Sequence, residues 1–487
     1  MSWKEAAEPV LTRMPTVARP EGHVPFKRKL GWTAGILVMY FFLTNVTLFG
    51  LQTGTGDFYG QFRSILAGSS GSLLQLGIGP IVTASIVLQL LGGADLLGLD
   101  TDDPRDQVLY QGLQKLLVVV MIFLTGVPMV YLSPLLEPSQ SVMTGLGLGR
   151  FGVETIIFAQ MFVGAILLLF MDEIVSKWGV GSGVGLFIIA GVSQQLVAGL
   201  FAWPGLGGVN GFVPTWFAIV TGQQAIGSPL TAEGLQQILF SPGNVLALFT
   251  TLLIFGIVVY AESVRVEIPL SHARVKGARG KFPVKLIYAS VLPMILVRAL
   301  QANIQFLGQI LYSQWAGMPA WLGQYSEGQV VGGVFWFLSP IQSPAQWMWW
   351  AGTVTAEPWE IMIRVLIDLS FMIVGGAIFA VFWVETTGMG PEATAQQIQN
   401  SGMQIPGFRR NPAVIEKVME RYIPQVTIIG GALVGVLAVM ANMLGTIGTV
   451  SGTSLLLTVS ITYKLYEEIA EEQLMEMHPM MRQMFGN

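Results

Sequence analysis

The sequence contains no cysteine. Disulfides, thiolate zinc sites, cysteine-ligated iron–sulfur clusters and cysteine nucleophiles are excluded together, and the redox compartment leaves no trace in the composition. Charge is also scarce: 11% of the 487 residues are Asp, Glu, Lys or Arg, against roughly a quarter in an ordinary soluble domain. Histidine occurs three times, at His23, His272 and His478, and never inside an apolar run. The net charge of −4 exerts no overall pull on nucleic acid, so any such contact must come from local clusters. Catalytic signatures are missing too: there is no Gly-x-Ser-x-Gly elbow, no HExxH and no phosphate-binding Gly-x-x-x-x-Gly-Lys-Ser/Thr. The glycines at Gly179, Gly181, Gly183 and Gly185 lie between two apolar runs, where they read as a tight inter-helix turn. Neither an enzyme nor a cofactor is expected.

What the chain has is apolar length: 52% of its residues are hydrophobic. Ten runs are read as spans, at 31–51, 73–92, 114–136, 153–171, 183–201, 244–262, 284–308, 361–384, 425–444 and 453–467. About 20 such residues cross a hydrocarbon core of about 30 Å as a helix, so this is an all-α polytopic membrane protein. Residues 1–30 have no apolar core of a cleavable signal; they read as a cytoplasmic arm with either a surface helix over 3–14 or no fixed structure. With this arm inside, 21 of the 25 Lys and Arg fall on cytoplasmic connections or tails, leaving Arg63, Arg150, Arg298 and Arg364. The long connections 201–244 and 312–360 hold no Lys or Arg, so both face outward, and the second carries seven of the thirteen tryptophans, as suits a headgroup layer.

Three connections are more than linkers. Segment 57–72 carries a helical stripe of Phe58, Phe62, Ile65 and Leu66 but is broken by Gly and Ser before spanning length; it is a re-entrant element lining a cavity or an external interfacial helix. Residues 263–268 alternate at period two, so loop 263–283 reads as an extended finger carrying Arg274, Lys276 and Arg279. Loop 385–424 holds a helix opened by Pro391 and closed at Gly402, then Arg409 and Arg410, then another short helix. Both basic clusters suit phosphate contacts, and both also suit the simpler role of holding loops inside. Within the spans, Asp368 has Arg364 four residues earlier on the same face, a local ion pair or a proton relay. Arg298 either snorkels, pairs or faces a wet lumen, and the lumen is the expectation adopted.

Several stretches are more specific: Leu76-Gly77-Ile78-Gly79-Pro80-Ile81-Val82-Thr83-Ala84, Asp172-Glu173-Ile174-Val175-Ser176-Lys177-Trp178-Gly179-Val180-Gly181-Ser182-Gly183, Tyr260-Ala261-Glu262-Ser263-Val264-Arg265-Val266-Glu267-Ile268-Pro269, Ala302-Asn303-Ile304-Gln305, Trp383-Val384-Glu385-Thr386-Thr387-Gly388 and Leu456-Leu457-Thr458-Val459-Ser460. Together they resemble the SecY family, channel subunits of the protein translocase, over nearly the whole chain and most of all its archaeal branch. The resemblance implies two inverted, pseudo-symmetric halves of five helices, 31–201 and 244–467, joined by an external connection 202–243 and followed by a cytoplasmic tail 468–487. It implies a pore ring of Ile78, Val82, Val184, Ile188, Ile295 and Leu457, with segment 57–72 as the plug. Thr83 and Asn303 would be polar positions of a lateral gate between spans two and three and spans seven and eight. Arg274, Lys276, Arg279, Arg409 and Arg410 would contact the ribosome. SecE-like and small beta-like subunits, signal sequences, nascent membrane proteins and lipid would be the other partners, in the plasma membrane with both termini cytoplasmic.

The residues add limited independent support: Ile78/Val82 and Val184/Ile188 are each spaced i, i+4 and share a helix face. Two ring positions are valine rather than isoleucine, and Arg298 stands about 60° around its helix from Ile295. The acidic run 467–476 and the few lysines hint at a salty cytoplasm. An ion-coupled carrier using Asp368 and a ribosome-binding scaffold that conducts nothing are the rival readings.

Overall fold

A computed structural model describes residues 8–22, 24–52, 63–93, 97–98, 104–132, 136–203, 211–227, 230–240, 243–272, 279–285, 292–315, 317–326, 329–351, 356–387, 389–400, 403–404 and 412–477. The helices that build the body are α1 (Phe26–Asn45), the short α2 (Arg63–Leu66), α3 (Gly79–Gly93), α4 (Pro104–Val127), α5 (Arg150–Trp178), α6 (Gly183–Phe201), α7 (Val245–Ser263), α8 (Leu292–Gln314), α9 (Pro358–Thr386), α10 (Pro412–Leu444) and α11 (Gly452–Met477). Among the described residues, seven helices, from α4 to α10, are long and apolar enough to cross a membrane. With α1, α3 and α11 they make ten.

The helix ends depart from the hydropathy boundaries for local reasons. α1 starts at Phe26 behind Pro25, carries Lys27, Arg28 and Lys29 in its first turns and stops at Asn45. Residues 46–51 leave the helix to form isolated bridges, Thr47 with Ser72 and Leu51 with Pro138. α3 begins at Gly79 rather than 73, because 73–78 is a series of turns with Gly77 at φ 55°. α4 begins ten residues before its apolar run, opened by Pro104 with Asp106 in the first turn, both favoured where helix amides are unpaired. Its outer end widens into a π-helical turn, Pro128–Leu132. Positions 284 and 285 belong to a β-strand rather than to α8, which is described from Leu292, and α11 continues ten residues past 467. Loop 385–424 contains the expected helix at Pro391–Asn400, but its second short helix is the start of α10, which runs unbroken through Pro424.

The period-two finger is a hairpin of β1 (Arg265–His272) and β2 (Arg279–Lys285), antiparallel from Arg265↔Lys285 to Ser271↔Arg279. A separate two-stranded hairpin of β3 (Gln324–Ser326) and β4 (Gln329–Gly332) lies in the connection between α8 and α9. β5 (Met403–Gln404) pairs with Ser271 and His272, joining the two basic loops at one end of the sheet.

Packing runs opposite to that of a soluble protein at the rim and alike at the centre. Large apolar side chains such as Phe42, Phe249, Leu252, Leu366 and Val374 stand exposed on the outer helix faces, as a lipid-facing belt requires. One continuous buried cluster runs through α1, α3, α5, α6, α8 and α11. Close backbone approach fastens α9 to α10: a Cβ on Gly376 would stand 2.6 Å from the Gly431 carbonyl oxygen, so only glycine fits there.

Candidate pore and gate

The six aliphatic residues named for the ring come from α3, the turn before it, α6, α8 and α11, and all six belong to or pack against the one large buried cluster. Ile78 and Ile188 are fully buried, as is Leu457, with Ile295 and Val82 nearly so. Val184 is half-buried and packs against the same cluster. Ile78 precedes the first residue of α3, yet its carbonyl accepts the Val82 amide (3.0 Å), so the i, i+4 relation holds. None of the five buried members reaches the lipid-facing belt.

Segment 57–72 is described from residue 63; Phe58 and Phe62 lie outside the described residues. Its visible part is re-entrant rather than interfacial. Ile65, Leu66 and Ala67 are buried, and the Leu66 carbonyl accepts the Ile78 amide at 2.7 Å. Gly77 makes this approach possible: a Cβ there would lie 2.1 Å from the Leu66 oxygen, at a φ that L side chains avoid. From the side, the Tyr40 hydroxyl donates to the Ala67 carbonyl (3.0 Å) while its ring stacks on Phe187. Beyond the plug lies a cavity of about 270 Å³ lined by Tyr40, Thr44, Arg63, Ser69, Gln194 and Gln195 among others.

At the two expected gate positions, Asn303 Nδ2 of α8 donates to Thr83 Oγ1 of α3 at 3.1 Å, and the Thr83 hydroxyl donates in turn to the Gly79 carbonyl (2.9 Å). A second contact was not legible in the sequence. Where the π-turn ends, the Leu132 carbonyl accepts from Ser313 Oγ and from Gln314 Nε2, both at 3.1 Å, and so ties the outer end of α4 to that of α8. A π-turn leaves carbonyls off the regular ladder, and Pro128 inside an apolar run was its one sequence signal.

The intramembrane charges differ from expectation. Asp368 pairs with Arg298 (3.2 Å) rather than with Arg364, and both partners are almost wholly buried, so Arg298 lies between helices and not in a wet lumen. The i, i+4 spacing put Arg364 in reach, but its guanidinium bonds the Ser339 carbonyl and hydroxyl and the Pro340 carbonyl instead and covers the Trp336 ring.

At the end of the molecule that carries the two basic loops, several basic residues are occupied within the chain. Glu467 of α11 binds Arg265 (2.9 Å) and Lys285 at the root of the finger, Lys29 binds Glu472, and Glu173 takes both Lys115 and Lys177. Lys177 and Trp178 also hold the N-terminal arm through the Val17 and Ala18 carbonyls. Arg274, Lys276, Arg409 and Arg410 lie outside the described residues; Arg279 opens β2 opposite Ser271. Among the described residues no cluster of three or more potential metal ligands occurs.

Comparison with known proteins places the sequence and the fold in one family. The family model described as SecY matches residues 72–466, and that of the plug domain of Sec61p matches 38–71. The protein translocase subunit SecY of Haloferax volcanii is 77% identical over 490 residues, covering 100% of both chains; that of Archaeoglobus fulgidus is 49% identical over 490, covering 99% and 98%. A solved protein-conducting channel superposes with a TM-score of 0.78 at 36% identity, covering 97% of this chain and 98% of its own. Sec61 from a canine ribosome–channel complex of the endoplasmic reticulum gives 0.75 at 36%, with the same coverage.

Proposed function

The chain belongs to the SecY family, and from that premise we propose that it conducts unfolded secretory polypeptides across a membrane and releases apolar segments sideways into lipid. It is a multi-pass membrane protein and a channel rather than a catalyst. The observation that carries the reading is the hydrogen bond from the Ile78 amide to the Leu66 carbonyl, which sets the plug directly on an aliphatic cluster supplied by four helices. A narrow collar of Ile and Val holds no continuous water column, so it blocks ions by dewetting, while its dispersion contacts yield to any side chain of a threaded polypeptide. Ile78, Val82, Val184, Ile188, Ile295 and Leu457 form that collar, and segment 57–72 seals its outer side. Release into lipid follows when α3 and α8 part at Thr83 and Asn303.

The halves 31–201 and 244–467 move about the connection 202–243. Both termini lie in the cytoplasm and the membrane is the plasma membrane; the basic arm and loops support that orientation. The ribosome docks on Arg274, Lys276, Arg279, Arg409 and Arg410, a reading supported by the sheet that draws both loops together and by the ribosome-bound state of the canine relative. SecE-like and beta-like subunits complete the assembly. The carrier reading loses its premise, since the buried Asp368 is already paired with the buried Arg298 rather than waiting for an ion.

Asparagine at Ile78 and Ile188 tests the collar. Single-channel recording of the reconstituted complex is expected to show a raised resting ion conductance, and precursors with weakened signal sequences are expected to pass more readily. A conductance equal to that of the unaltered channel refutes the collar.

A further inference from the structure

α8 carries two polar faces. Asn303 meets α3; Arg298, Gln301 and Gln305, spaced i, i+3 and i+7, form a separate stripe. Five residues separate Arg298 from Asn303, about 140° around the helix. Each member of the stripe meets a fixed partner. Arg298 Nη1 donates to Asp368 Oδ1 of α9 (3.2 Å) and to Gln301 Oε1 (2.6 Å). Gln301 Nε2 donates to the Leu338 carbonyl (2.9 Å) and to Asp368 Oδ1 (3.3 Å), and Gln305 Nε2 to the Phe335 carbonyl (2.9 Å). From α9, Asp368 Oδ2 accepts the Ile341 amide (3.4 Å), and Arg364 binds Ser339 and Pro340. The external segment 335–341 is thus bonded to both helices at once.

A buried ion pair adds little stability over well-packed apolar residues of the same volume, while leaving one partner unpaired is strongly destabilising. What such a pair supplies is alignment. Arg298 keeps two further buried donors, Nε and Nη2, without a protein partner, so the contacts to Asp368 and Gln301 are what hold its guanidinium. Any independent rotation of α8 against α9 separates two charges buried away from bulk solvent.

We propose that Arg298, Asp368 and Gln301 lock α8, α9 and segment 335–341 into one body, and are positioning residues for the lateral gate. α8 then presents Asn303 to Thr83 in the orientation this lock imposes, and the gate opens by displacement of the whole body rather than by bending of α8. The proposal rests on the gate reading of Thr83 and Asn303.

The lack of native cysteine makes the test clean. In the full complex, a Thr83→Cys/Asn303→Cys pair reports the gap by its rate of disulfide formation. Adding Arg298→Met with Asp368→Asn removes both charges at similar volume; the protein is expected to accumulate in the membrane with its thermal unfolding unchanged. Disulfide formation is expected to slow by about threefold or more, the value of one interhelical hydrogen bond. Gln301→Met is expected to slow it less. Unchanged rates in both backgrounds overturn the proposal. A double variant that no longer accumulates in the membrane also overturns it, by assigning the pair to folding. Inserting a stalled secretory chain into the cysteine-pair protein separates the premise: a rate indifferent to the inserted chain sinks the gate reading itself, whereas a rate that responds to the chain but not to the variants sinks only the lock.

Discussion

The amide of Ile78 donates to the carbonyl of Leu66 across 2.7 Å. The last turn of α2 is therefore bonded, backbone to backbone, to Ile78 of the proposed collar, so the proposed seal would depend on main-chain geometry as much as on apolar side chains. The residue that permits it is Gly77, whose φ of 55° turns the chain under the plug and whose missing Cβ leaves room for the Leu66 oxygen. Plug and collar are coupled: displacing the plug breaks a bond to the ring, and a shift of the ring at Ile78 tugs on the plug.

Gly77→Ala is expected to unseat the plug without emptying the collar. The added Cβ would stand 2.1 Å from a backbone oxygen that has no flexible end to move aside, and the left-handed φ costs a further 1–2 kcal/mol or so. Resting ion conductance is expected to rise, while the protein still inserts and translocates. A leak no larger than that of the unaltered channel would show that the Ile78–Leu66 bond contributes nothing to the seal.

Asn303→Leu removes the donor to Thr83 while keeping the branched shape of the side chain. An interhelical hydrogen bond in a membrane is worth about 0.6–2 kcal/mol, so the closed state should lose about threefold to thirtyfold in population. Precursors with weakened signal sequences are expected to be accepted more readily, by about that factor. Ser313→Ala with Gln314→Leu, which empties the Leu132 carbonyl at the outer end of the gate, is expected to act in the same direction. Translocation assays with graded signal hydrophobicity check both; a selectivity curve that does not move for Asn303→Leu would remove that bond from the gate.

How far the sequence anticipated this structure depends on the range over which each feature is encoded. Spans were legible because lipid demands continuous apolar length. Their ends were not, because α4, α5 and α11 continue as polar helices into water, where hydropathy carries no signal. The finger was legible from its period-two pattern, but its pairing with β5 depends on residues more than a hundred positions apart. Asp368 was misassigned for the same reason: spacing offers the neighbour at i−4, whereas the partner chosen, Arg298, stands 70 positions away on another helix. The ring and gate positions came from family resemblance, since an i, i+4 pair of branched residues looks alike on a lipid-facing and a buried helix. The Leu132 carbonyl carries no side-chain signature at all.

Glu467 is the hinge pin of the finger, since it takes Arg265 and Lys285 from the first pair of the β1–β2 ladder. All three side chains are partly exposed, at 41% for Arg265, 34% for Lys285 and 26% for Glu467, so solvent and salt screen the contacts and their share of stability is small, within about 1 kcal/mol. Their effect is directional instead: two cations on one carboxylate fix the angle at which the hairpin leaves α7 and α11. Glu467→Gln is therefore expected to leave thermal unfolding nearly unchanged and to weaken binding of empty ribosomes to proteoliposomes, most clearly at low salt, where the unaltered pairs are strongest. Two cations freed at the root add positive charge, which on its own would strengthen attraction to ribosomal RNA, so the two effects oppose. Weaker binding shows that finger orientation dominates; tighter binding with a steeper salt dependence shows that local charge does, and removes Glu467 from any orienting role.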